Sequence, residues 1–182
     1  MLNVTTLAIE DVWILEYAPK EDNRGVSVRY ASKRELEAAG IHTEFVEEIL
    51  YAVRKRGTLY GVHFQNHPKP QTKLLFCTQG RGLDVAVDLR KDSATYKQWV
   101  SVELSAENRK QIYIPAGFGH AFLSLEDDTH VVIKIDAYFD PALERAITYD
   151  DPEIGIDWDV SDPILSEQDR NAPLLRDSDC NL

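Results

Sequence analysis

Three residues of this sequence are of types that could move a proton or hold a negative charge, and each sits at the edge or centre of an apolar run. In Leu59-Tyr60-Gly61-Val62-His63-Phe64-Gln65, strand alternation puts His63 and Gln65 on one face, with Gly61 where a bulge or a close approach fits. An imidazole there is a candidate general base because it titrates near neutrality, although a histidine in an apolar strand can also be a satisfied core residue. Lys73 opens the run Leu74-Leu75-Phe76-Cys77 after the Pro68/Pro70 turn. It is either a solvated strand start or a cation set against an anionic centre. His120 follows the turn Ile114-Pro115-Ala116-Gly117-Phe118-Gly119 and enters Ala121-Phe122-Leu123, where a structural role is equally open.

The elements that must position these residues are mostly strands. From Val12 to Val132 the chain alternates short runs of Val, Ile, Leu, Phe and Tyr with Gly, Pro, Asp and Asn turn signals. The clearest is 82–89, where Leu83, Val85, Val87 and Leu89 share one face and Asp84, Ala86 and Asp88 the other, which predicts a core face and a half-polar face. Similar runs near 11–17, 44–53, 58–65, 73–78, 98–104, 111–114, 120–125 and 129–139 supply enough strand for a double-sheet antiparallel sandwich of the jelly-roll kind. Helix is sparse. Ser32-Lys33-Arg34-Glu35 reads as a capping box opening a turn that Gly40 ends, and Ser166 is placed to cap a second short helix carrying Asp169 and Arg170 before Pro173 stops it.

Composition narrows the possibilities. A chain of 182 residues with 43% hydrophobic residues is the size of one domain, 1–182, with one sizeable core. A formal net charge of -11, with the acids spread evenly, opposes a nucleic-acid or anionic-membrane surface but permits a small anionic ligand held by a few local cations. With no leader-like segment and no apolar run of ~18 residues, a soluble, cytoplasmic protein is expected. Cys77 and Cys180 have no CxxC or Cys/His spacing, so neither a disulfide framework nor a zinc site is expected, and Cys77 reads as core. His63 is followed by Phe64 and Gln65, and His67 lies beyond Asn66. That spacing does not gather three ligands around a metal ion. Glycine-rich phosphate loops, nucleophile elbows and dinucleotide fingerprints are absent.

Taken together, Gly61-Val62-His63-Phe64-Gln65, Lys73, Asp84-Val85-Ala86-Val87-Asp88-Leu89-Arg90, Leu104-Ser105-Ala106-Glu107-Asn108, Phe118-Gly119-His120-Ala121-Phe122 and Leu165-Ser166-Glu167-Gln168-Asp169-Arg170 strongly resemble the dTDP-4-dehydrorhamnose 3,5-epimerase family. The resemblance runs from Asp22-Asn23-Arg24-Gly25 to Pro173-Leu174-Leu175. It implies a cupin-type jelly roll, commonly a homodimer, that epimerises a nucleotide-diphosphate-linked 4-keto-6-deoxyhexose with no metal and no organic cofactor. By resemblance His63 is the base, held in its tautomer by Asp169, and Lys73 stabilises the enolate oxygen. His120 positions the sugar, Arg24 and Arg170 meet the nucleotide or its diphosphate, and Gln65 and Tyr138 are further substrate-binding residues. The implied pathway is deoxysugar synthesis for a polysaccharide or a glycosylated product.

Departures from the family pattern cluster in the site. The family usually has a phosphate-binding arginine where Tyr60 stands, and a phenol lacks both the charge and the bidentate fork. Aromatic residues and a glutamate usually follow Arg24-Gly25, where this chain has Val26, Ser27, Val28 and Arg29, and a Gln-x-Asn pair is replaced by Glu47 and Ile49. The family's proton-donating tyrosine precedes the lysine matching Lys134; here that position is Ile133, on an apolar face with Val131, Ile135 and Ala137. Tyr60, Tyr51 or Tyr138 are the candidate replacements, although simple parity puts Tyr60 on the face opposite His63 unless Gly61 makes a bulge. Two readings follow: an epimerase, of one centre or two and of dTDP or another nucleotide, or a non-epimerising cupin that binds a nucleotide sugar.

Overall fold

The computed structural model describes residues 1–182 and contains thirteen strands and two short helices. One sheet has six strands: β1 (Leu2–Thr6), β2 (Trp13–Tyr17), β10 (Gln111–Ile114), β7 (Lys73–Gln79), β12 (Thr129–Ile135) and β5 (Glu47–Val53), in that spatial order. The second has five: β13 (Glu144–Ala146), β6 (Leu59–Gln65), β11 (Phe118–Ser124), β8 (Arg81–Asp88) and β9 (Trp99–Ser105). All pairings within them are antiparallel. The expected double-sheet antiparallel sandwich is present. A separate hairpin of β3 (Lys20–Asp22) and β4 (Gly25–Ser27) stands exposed on the surface.

Three apolar layers hold the sandwich together. Between the sheets, Ile14, Leu75, Cys77, Ile112 and Val131 meet Ala86, Val102, Leu104, Phe118 and Phe122. Helix α1 (Lys33–Ala38) covers the outer face of the six-stranded sheet, where Leu36 and Ile41 pack on Leu15 and Leu74. The chain beyond β13 covers the outer face of the five-stranded sheet, with Ile147, Ile154, Ile156 and Leu175 packing on Val62, Val85, Val87 and Leu89. The reading of 82–89 as half-polar is corrected: this layer covers Val85, Val87 and Leu89, while Asp84, Ala86 and Asp88, on the other face toward the six-stranded sheet, are just as inaccessible. Asp88 is satisfied by Arg90, Ser93 and Thr95, which hold its carboxyl down to about 2 against the upward push of burial.

Local differences have local causes. The capping box at Ser32 does not form: Ser32 makes no side-chain cap, and Glu35 pairs instead with Arg29 and the chain's amino terminus. Gly40, at φ +90, does end the turn, letting the Ile41 N–H reach the Leu36 carbonyl. The strand expected over 129–139 stops at Ile135, because Asp136 turns to accept from the Thr72 N–H and the Phe139 N–H donates to Glu47. The short strands β1, β3, β4 and β13 carry no alternation long enough to be read.

The most consequential irregularity is in β6. His63 pairs with His120 and Tyr60 with Phe122, so three steps along β6 span two along β11. The extra residue is a bulge, at Gly61. Gly61 has φ +108, and a Cβ there would lie 2.5 Å from the His120 carbonyl oxygen and 2.9 Å from the Ala121 Cα. Backbone cannot yield as a flexible side chain can, and the dihedral is unfavourable for an L-residue. Gly61→Ala is therefore expected to lower the unfolding free energy by roughly 2–4 kcal/mol, read by denaturant unfolding.

Candidate active site

A cavity opens between the two sheets at the end where β5, β12 and β7 face β6, β11 and β13. The five-stranded sheet contributes Tyr60, His63 and Gln65 from β6, His120 and Phe122 from β11, and Glu144 from β13. The facing sheet contributes Ile49 and Tyr51 from β5, Lys73 from β7, and Val131, Ile133 and Ile135 from β12. One wall is thus rich in titratable groups, the other largely apolar except for Lys73 and Tyr51.

His63 is oriented from outside its own sheet. Its Nε2 lies 2.5 Å from Asp169 Oδ1, and Asp169 sits on α2 (Glu167–Arg170) in the covering layer. The helix has the expected Ser166 cap: Ser166 Oγ accepts from the Asp169 N–H at 3.1 Å and donates to Asp169 Oδ2 at 2.8 Å. Burial pushes the Asp169 carboxyl up, but the bonds to His63 and Ser166, with the Gly61 N–H, outweigh it and hold the carboxyl below its ordinary value. An ionised Asp169 accepts a hydrogen bond from the Nε2–H of His63, which leaves Nδ1 as the nitrogen with the free lone pair.

Lys73, 8% exposed, makes no ion pair. Burial lowers it to about 8 despite the opposing charges of Asp84 and Glu144. His120 Nε2 lies 3.0 Å from Asp84 Oδ2; burial holds His120 below its usual value and Asp84 above the usual carboxylate range. The other Asp84 oxygen has no hydrogen-bond partner. Three half-compensated groups, Lys73, Asp84 and His120, therefore lie together beside His63, an arrangement more common at reacting centres than in structural cores.

The structure brings His63, Lys73, His120 and Asp169 into one constellation. Gln65 reaches the wall, but its amide ties two loops, donating to the Lys69 and Tyr138 carbonyls and accepting from the Asp140 N–H. Arg24, at the tip of the β3–β4 hairpin, is exposed and bonded to Asp22; Tyr138 is 66% exposed, and Arg170 also lies at the surface, so within one chain none of the three lines the cavity. Tyr60 is where the parity argument fails. His120 and Phe122 share a face of β11, so their partners His63 and Tyr60 share the cavity face of β6. Tyr51, one of the candidate replacement acids, lines the cavity, whereas Asp84 and Glu144 complete the site and were not read as its members. The available signal was Asp84 itself, a carboxylate in a strand flanked on both sides by apolar runs.

A double-sheet fold with an Asp-supported histidine and a buried lysine defines a jelly roll built for acid–base chemistry beside a developing negative charge. The chain belongs to the dTDP-4-dehydrorhamnose 3,5-epimerase family, whose model matches residues 6–177. It is 41% identical to the dTDP-4-dehydrorhamnose 3,5-epimerase of Pseudomonas aeruginosa over 98% of this chain and 99% of that one. It is 39% identical to the dTDP-4-dehydro-6-deoxyglucose 3-epimerase of Streptomyces bikiniensis over 93% and 87% of the two chains. The crystal structure of the Bacillus anthracis dTDP-4-dehydrorhamnose 3,5-epimerase with TDP and PPi bound superposes with a TM-score of 0.94, at 40% identity, covering 96% of this chain and all of that one.

Burying Lys73 has a thermodynamic signature. Between its folded value of about 8 and the ordinary 10.5, the unfolded chain holds a proton the folded chain lacks, so this group makes stability rise with pH across that window. Below pH 8 the full penalty of the buried charge remains. Lys73→Met is expected to stabilise the protein at pH 7 by about 1–3 kcal/mol, with the difference from the parent shrinking as pH rises from 8 to 10.5 in denaturant titrations.

Proposed function

We propose that this protein epimerises a nucleotide-diphosphate-linked 4-keto-6-deoxyhexose by removing a proton next to the C4 ketone and returning one to the opposite face. The observation that carries this reading is the His63–Asp169 pair facing a cavity that also holds a dehydrated, unpaired Lys73. The ketone acidifies the hydrogens on C3 and C5. His63 Nδ1 takes one, and Asp169 stabilises the imidazolium that results. The electron pair moves onto the C4 oxygen, where the Lys73 ammonium meets it at low local dielectric and without reorganisation. His120, held by Asp84, is a neutral donor or acceptor for the sugar hydroxyls.

The apolar substitutions bear on which sugar nucleotide is accepted more than on whether a proton leaves. Ile49, Tyr60 and Ile133 line the cavity and leave the His63, Asp169 and Lys73 set in place. A cupin that only binds has no use for an unpaired buried ammonium, which costs stability and gains nothing until an anion forms, so the binding-only reading is the weaker one. The same family of reactions accounts for Arg24 if the protein is a homodimer. Its hairpin is exposed, and the edge strand β5 carries the exposed Leu50 with the exposed Val46 just before it, so a second copy can bring its Arg24 to this chain's cavity. No helix is long and apolar enough to cross a membrane, and two buried free cysteines suit a reducing, cytoplasmic setting.

In deuterated water, dTDP-4-keto-6-deoxyglucose is expected to gain deuterium at C3 or C5. His63→Ala should slow that exchange by about 10²–10⁴-fold, and the exchange should decline as pH rises through about 8, where Lys73 loses its proton. Failure to exchange any 4-keto nucleotide sugar, under conditions in which the Bacillus anthracis protein does so, overturns the reading.

A further inference from the structure

Inversion at carbon requires two groups on opposite faces of the enolate, and the position facing the base from β12 is Ile133, which has no proton to give. We propose that Tyr51 returns the proton on the face opposite His63; this rests on the epimerase reading above. The base belongs to the five-stranded sheet and Tyr51 to the six-stranded sheet that faces it, so a sugar lying between the sheets has one group on each side. On β5, Tyr51 pairs with Val131 and Ile49 with Ile133, which places the Tyr51 ring diagonally beside Ile133 on the same wall. The ring also crosses the gap, meeting Tyr60 edge-on with centroids 5.2 Å apart and an interplanar angle of 64°. Neither phenol is engaged by another side chain, whereas Tyr113, on the outer face, is bonded to Thr43 at 3.0 Å.

The other donors on the walls are less suited. Tyr60 shares the β6 face with His63, and a proton taken and returned from one wall gives exchange without inversion. Lys73 holds the oxygen of the enolate, in the plane of the carbonyl, and cannot at the same time stand above the carbon. Gln71 is an amide whose Nε2 already donates to the Ala137 carbonyl. The phenol of Tyr51 stays protonated: burial, then the charge of Glu144, raises it above its ordinary value. An enolate carbon is a far stronger base than a phenolate, so the transfer runs downhill. The Tyr51 O–H bond breaks as the new C–H bond forms, and the electron pair returns from oxygen to carbon. The phenolate then takes a proton from water, and the His63 imidazolium releases one to water.

The test measures two rates on dTDP-4-keto-6-deoxyglucose in deuterated water: isotope exchange by mass spectrometry, and formation of the inverted product by NMR. Exchange with retention needs only His63 and Lys73, so the ratio of inversion to exchange isolates the acid. Tyr51→Phe is expected to lower that ratio by about 10²-fold or more, and adding Ile133→Tyr to it is expected to bring the ratio back to within tenfold of the parent. Tyr60→Phe should leave the ratio at the parental value whatever it does to the two rates. The proposal is overturned if Tyr51→Phe keeps a ratio within threefold of the parent, if it removes exchange and inversion together, or if Tyr60→Phe is the change that collapses the ratio. Absence of exchange in the parent instead removes the underlying epimerase reading, and the proposal with it.

Discussion

The 2.5 Å contact between His63 and Asp169 joins a strand in the middle of the chain to a helical turn near its end, 106 residues later, and the chemistry of the cavity depends on it. Asp169 arrives there only because the segment after β13 folds over the outer face of the five-stranded sheet, burying Ile147, Ile154, Ile156 and Leu175. That layer covers a sheet face that would otherwise meet water, so the hydrophobic effect that closes the fold also orients the His63 imidazole. Ser166 adds the last constraint by capping the turn and bonding the second Asp169 oxygen, fixing the carboxylate at both ends.

Opposite this rigid pair stands a group that the fold holds at a cost. Lys73 is stripped of water and lies near Asp84 and Glu144 without bonding either. Asp84 is shared with His120 and keeps one oxygen unpartnered. Such incomplete compensation is what an enolate requires, since a lysine already neutralised by a close carboxylate would have little left for a charge that appears only during reaction. The apolar residues that surround the cluster, Val131, Ile133, Ile135 and Phe122, lower the local dielectric and strengthen that interaction. Apolar substitution on this wall is thus compatible with proton abstraction, and it leaves Tyr51 and Tyr60 as the phenols on the cavity walls.

The parts of the molecule that could be read from the chain were those governed by local periodicity. Nine of the strands follow from alternating apolar runs, and α2 from its serine cap, because side-chain period and capping act within a few residues. The strands that escaped, β1, β3, β4 and β13, have only three to five residues and are held by their neighbours in the sheet rather than by their own pattern. His63, Lys73 and His120 could be singled out by residue type, and Asp169 by the family's motif. Asp84 and Glu144 could not, since a carboxylate in a strand looks like a solvated one until a second layer is known to cover it.

By itself the sequence determined an all-β sandwich, the family to which the chain belongs, and a histidine and a lysine singled out from distant runs. Only the tertiary structure decided which faces those residues share. Parity along β6 separates Tyr60 from His63, yet the bulge at Gly61 adds one residue against β11 and returns both to the cavity. Whether a strand bulges depends on the partner it pairs with, and whether a phenol such as Tyr51 faces a base depends on two sheets being stacked. Both are properties of contacts between segments far apart in the chain, which no local pattern encodes.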